Sequence, residues 1–147
     1  MKGGLTAELI LARLRLFLLT VAGLLFLGTV VELGVTGHTQ SPIQWIPFGL
    51  CALGLLAVLA AWARPSRPVL LGLRASMGLV ALGSLLGLYE HISGNLAFQL
   101  EIQPNAGLSD VLGKALGGAN PLLAPGILAL AALLAAAATY AHPALEA

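Results

Sequence analysis

Glu32, His38, Glu90 and His91 are the residues of this 147-residue chain whose types and positions point to chemistry. Each flanks an apolar stretch, and the span assignment below puts all four at one face of a bilayer. An ionisable side chain at or near membrane depth is costly unless it is hydrated, paired or bound. Three arrangements meet that condition. Two imidazoles with one or two carboxylates are the nitrogen and oxygen ligands that zinc, iron or manganese takes. A histidine or glutamate tuned toward neutral pH is a general acid or base. The same groups can also hydrogen-bond one another in a structural network at the interface.

Helical spacing sharpens the grouping. Gly28 and Glu32 are four residues apart, and Gly83, Gly87 and His91 repeat that interval, with Asn95 one turn further. Glycine faces let other helices approach closely. Gly28, Gly83 and Gly87 are therefore expected at helix contacts, and Glu32 and His91 between helices rather than toward lipid. Glu90 lies about 100° around the helix from His91. His38 falls in a short loop that can fold back. Asn95, Gln99, Glu101 and Gln103 are candidates for a surrounding polar layer. The expected site has Glu32 and His91 converging, with His38 or Glu90 as a third contributor.

A divalent metal is the cofactor such a set would suit, although the spacing matches no closed zinc motif. Haem is disfavoured, because two axial nitrogens would have to come from His38 and His91, and His142 belongs to the opposite face. Copper handling lacks its soft ligands: the chain has one cysteine, Cys51, and two methionines, Met1 and Met77. A single cysteine also excludes an internal disulfide, and Cys51 reads as a small buried apolar residue.

The elements that must position these groups are membrane spans. Only 9 % of the residues are charged, against about 25 % in a soluble domain. The apolar runs are long enough to cross hydrocarbon, which takes roughly 20 helical residues. The pattern predicts an all-α integral membrane protein, one four-span domain over 1–147 with spans near 9–33, 42–62, 69–90 and 121–140. The first apolar run is longer than the core of a signal peptide and lacks a clean small-x-small cleavage site, so it reads as a retained span. Ser41, Pro42 and Gln44 have the spacing of a capping box with proline at the first helical position. Trp45 and Trp62, about 25 Å apart along a helix, suit opposite interfaces. Asn120 and Pro121 offer the same start chemistry to the fourth span, with Pro125 bending its first turns or marking its true start.

The connection from 92 to 120 is too long for a minimal helical hairpin. Pro104, Asn105 and Gly107 read as a break. Leu108, Val111, Leu112, Ala115 and Leu116 then form an apolar stripe opposite Asp110 and Lys114, a short amphipathic helix lying on the membrane or capping the bundle. Residues 96–102 read as irregular or helical chain over the bundle mouth, and the outer segment 92–120 as a whole as a lid for the polar site.

Basic residues set the orientation. Lys2, Arg13, Arg15, Arg64, Arg67 and Arg74 lie at the amino end or around the second turn, and only Lys114 falls elsewhere. The positive-inside rule places both termini in the cytoplasm, in the cell's inner (plasma) membrane, with the Glu/His end outside. The formal charge of +1 gives no reason to expect a nucleic-acid partner. The partners expected are lipid and, through the glycine and alanine faces, a second copy or a membrane subunit. The reading that asks least of these residues is a small accessory or structural membrane protein within an assembly. Two alternatives use the polar residues: divalent-metal binding or ion transport, and an enzyme acting on a membrane-soluble substrate.

Overall fold

The structure is a computed structural model that describes residues 6–118 and 122–146. Among the described residues every regular element is helical: α1 (Ala7–Val35), a 3-10 turn (Pro42–Trp45), α2 (Ile46–Ala63), α3 (Arg67–Ile102), α4 (Leu108–Leu116), α5 (Leu123–Ala137) and α6 (Pro143–Glu146). Three segments are long and apolar enough to cross a membrane: α1, the 3-10 turn continued by α2, and α3. The shorter apolar α5 packs on α1 and α3, while α2 packs on the same two helices from the other side. The protein is thus an apolar, multi-span helical membrane protein.

Local chemistry accounts for the ends of these helices. Thr6 caps α1, its Oγ1 accepting from the Leu9 N–H at 3.3 Å. At the other end Gly37 adopts φ +67°, a conformation glycine reaches without strain. The N–H of Gly37 then donates to the Gly34 carbonyl and that of His38 to the Leu33 carbonyl. This pair of bonds is a Schellman stop, which satisfies two end carbonyls and turns the chain back. The Gln44 Oε1 accepts from the backbone N–H groups of Gln40 and Ser41, the reach-back half of the expected capping box. Pro47, at the start of α2, has no N–H to lose in a first turn.

The third span is longer than the sequence reading gave it. Residues 92–102 were assigned to a connecting lid, but α3 runs unbroken for 36 residues, about 54 Å. No proline interrupts it before Pro104, and Gln103, forced out of the helical region by the proline behind it, ends it. The connection lies along α3 instead of over the bundle mouth. The buried Asn95 amide donates to the Ala115 carbonyl at 2.9 Å, Lys114 Nζ donates to Gln103 Oε1 at 3.0 Å, and Val111 and Ala115 are fully buried. Leu112 and Leu116, counted in the same stripe, are exposed. The fourth apolar helix is shorter than expected, at 15 residues. Its proposed caps, Asn120 and Pro121, lie outside the described residues.

Alanines are prominent in the core beside larger side chains such as Phe26, Leu73 and Met77, and many large apolar residues lie on the surface. Ala22, Ala61, Ala131, Ala132, Ala135 and Ala138 are buried, whereas Phe17, Leu24, Leu56, Leu82 and Leu133 are exposed. That distribution fits a lipid surround, where close backbone approach rather than the hiding of apolar groups binds helices together. The tightest notch holds the fully buried ring of Phe26 against Gly54, where a Cβ would overlap the ring. Gly23 meets Val58 and Leu55 across the same contact. Gly28 does not serve as expected: it is exposed and has nothing within 4 Å of a would-be Cβ. At the far end Arg15 Nη2 donates to the Ala141 carbonyl at 2.7 Å, and Arg74 Nε to Thr139 Oγ1 at 2.8 Å. These guanidiniums satisfy the chain just beyond α5, where end carbonyls otherwise lack partners.

Gly54→Ala is expected to destabilise the folded protein by about 1–3 kcal/mol through overpacking. Gly28→Ala should be neutral, or stabilising by up to about 1 kcal/mol, through helix propensity. Thermal unfolding of both variants in one mild detergent checks the contrast.

Candidate functional site

At the end of the bundle where α1 stops and α2 begins, the helices enclose a cavity of about 590 Å³. Its wall includes Glu32, Thr36, His38, Gln44, Glu90 and His91, and its apolar part is made by Ile46, Leu50, Leu86, Pro125 and Leu128. Helix α1 presents Glu32 one turn before its end, and the Gly37 turn then swings His38 back beside α3. The His38 and His91 rings lie with centroids 6.3 Å apart and planes tilted by 40°. Gly83 and Gly87 also line the space, so their missing side chains contribute volume. Gly83 abuts Leu50 of α2, and a Cβ on Gly87 would sit 3.4 Å from Pro125 of α5.

Glu32, His38, Glu90 and His91 therefore face one cavity, distributed around its wall. Among the described residues no three His, Cys, Asp or Glu groups come close enough to hold a metal ion. The divalent-metal expectation has no geometry behind it here. Asn95, Gln99 and Glu101 do not line the cavity. Asn95 instead secures α4, and Glu101 is exposed on the projecting part of α3.

Three further polar residues line the cavity, Thr36, Gln44 and Ser84. Sequence spacing marks Gln44 only as a cap and gives Thr36 no signal. Ser84 is buried, and its hydroxyl donates to the Pro125 carbonyl, fixing α3 to α5 at the cavity floor. Ser84 lies seven residues before His91, two helical turns on the same face, a signal that was available.

Electrostatics divide the two ends of the molecule. Among the described residues no lysine or arginine lines the cavity. Burial, and secondarily the neighbouring His91, hold the His38 imidazole below its ordinary value of 6.5. At neutral pH His38 is therefore an uncharged donor and acceptor. No protein-family model, curated protein or solved structure matches this chain.

The His38 ring is expected to titrate below 6.5, and His91→Gln to move its midpoint part of the way back while the burial contribution remains. NMR of the imidazole resonances reads both. The sign for stability follows from linkage. The folded protein favours neutral His38, so the unfolded chain takes up the proton first as pH falls below 6.5. Stability is lost on the acid side, and His38→Gln should remove part of that loss in unfolding measurements across pH 7.5 to 5.

Proposed function

We propose that this chain is a four-span membrane protein that binds a membrane-soluble small molecule in the cavity at its His38/His91 end. The observation that carries this reading is the cavity's two-sided wall. Polar groups from α1, the following loop and α3 face apolar ones from α2, α3 and α5. A volume of 590 Å³ falls within the roughly 300–1,000 Å³ of small-molecule sites. The rim supports access from the bilayer: Ile43, Ile46 and Leu86 line the cavity and are also exposed, as are Thr36 and Glu90. An amphiphile at the interface could enter tail first between α2 and α3 and leave its head among the polar groups.

The fourth crossing in this reading is α5 together with residues 138–141. Arg15 bonds Tyr140 and Ala141, which brings the beginning of α1 and the end of α5 to one side of the bundle. With the arginines there, the positive-inside rule favours cytoplasmic termini in an inner membrane. Ion transport through one chain is not favoured. Beyond the cavity the core passes through Phe26, Met77 and Val80, all fully buried apolar side chains, and among the described residues no charged side chain is buried. A role as subunit of an assembly gains support from the projecting part of α3, where Phe98 and Ile102, with Leu112 and Leu116 of α4, remain exposed.

Two measurements test the proposal. Protein in lipid nanodiscs is expected to retain one small molecule per chain by native mass spectrometry, and Leu86→Trp, at an exposed rim position, to reduce that occupancy at least fivefold. Unchanged occupancy in a folded Leu86→Trp protein counts against the cavity. Cysteine placed at Ser109 should label from outside intact cells, and cysteine at Ser66 only after permeabilisation. The reverse pattern inverts the topology.

A further inference from the structure

We propose that the cavity selects amphiphiles with a positively charged head, an ammonium carried on an apolar chain, and that Glu32 and Glu90 are its counter-charges. This rests on the reading of the cavity as a site for a membrane-soluble molecule, and names the class.

Charge sorting is the first argument. Both charged side chains on the cavity wall are carboxylates, and they come from different helices, α1 and α3. The described arginines lie toward the opposite end. Arg15 is engaged with the Tyr140 and Ala141 carbonyls and Arg74 with Thr139. Lys114, the one described lysine, reaches Gln103 away from the cavity. A low-dielectric recess rimmed by a single sign of charge concentrates ions of the opposite sign.

The second argument is the alternative occupants. A phosphate or carboxylate head would share the recess with two carboxylates and, among the described lining residues, no lysine or arginine to offset it, and like charges repel. An ammonium is attracted by the carboxylates instead, and the uncharged His38 imidazole and the Gln44 side chain can accept its N–H groups or solvate a quaternary centre. The space deeper in the cavity, against Leu50 and Leu128, takes an alkyl chain and gives affinity through burial of apolar surface. Head and tail are thus both provided for, and the polar part lies at the end of the helices, where an interfacial head group resides.

The test uses the whole protein in nanodiscs of zwitterionic lipid. Equilibrium uptake is measured for dodecyltrimethylammonium, dodecanoate and a nonionic dodecyl ether, all below their micelle concentrations, with protein-free discs subtracted. Saturable binding of the ammonium at one per chain is expected, about tenfold tighter than the nonionic probe, with no saturable binding of dodecanoate. Glu32→Gln and Glu90→Gln should each weaken ammonium binding about five- to tenfold and leave the nonionic probe unchanged. Glu90 is exposed, so Glu90→Gln leaves the fold intact and carries the test if the Glu32 variant does not fold. Equal binding of the three probes, or glutamine variants that keep the ammonium preference, overturns charge selection while the cavity reading stands. Absence of saturable binding by every probe overturns both.

Discussion

Helices in hydrocarbon gain nothing by hiding apolar side chains from one another, because lipid tails are as apolar as leucine. What holds this protein together is close approach, and close approach needs missing side chains. The Phe26 ring fits against α2 because position 54 has no Cβ. Helix α5 lies against α1 and α3 through Ala131, Ala132, Ala135 and Ala138. The bulk of the leucines is consequently on the outside. In water such a surface would be an aggregation hazard, and in a bilayer it is the solvated face.

The same constraint makes the cavity. At the His38/His91 end α1 stops at a left-handed glycine, α2 begins with a 3-10 turn, and Gly83 and Gly87 withhold side chains from the middle. The Ser84 hydroxyl, bonded to the Pro125 carbonyl, keeps α5 and α3 together at the floor, so the space does not close by collapse. A recess at the end of the helices is where ionisable groups cost least, since water and head groups are near. The two carboxylates and two imidazoles therefore occupy a place where the fold tolerates them.

The opposite end is governed by the backbone. Carbonyls at the end of a helix lack intrahelical partners, and a short helix that stops within a membrane protein needs donors for them. Arg15 from α1 and Arg74 from α3 serve the segment after α5. Arg15 thereby joins the beginning of the chain to its end, and Arg74 ties α3 to the same segment. Basic groups engaged at one end and carboxylates around the cavity at the other leave the molecule with a lengthwise charge asymmetry.

Membrane character was legible in the residues, because apolar run length is a property of neighbouring residues. Span positions alone group Glu32, His38, Glu90 and His91 at one end of the spans, since rise per residue sets position along a helix. The full length of α3 is a local matter too, because no proline interrupts 92–102 before Pro104. Which side chains face the cavity was not legible, because that depends on the rotation of each helix about its axis and on which neighbour it meets. Gly28 and Gly54 read alike as letters, yet one faces open space and the other holds an aromatic ring. Asn95 has the helical interval of His91 but serves α4, because the chain after α3 folds back along it. Packing between distant segments chose among faces that spacing alone leaves equivalent.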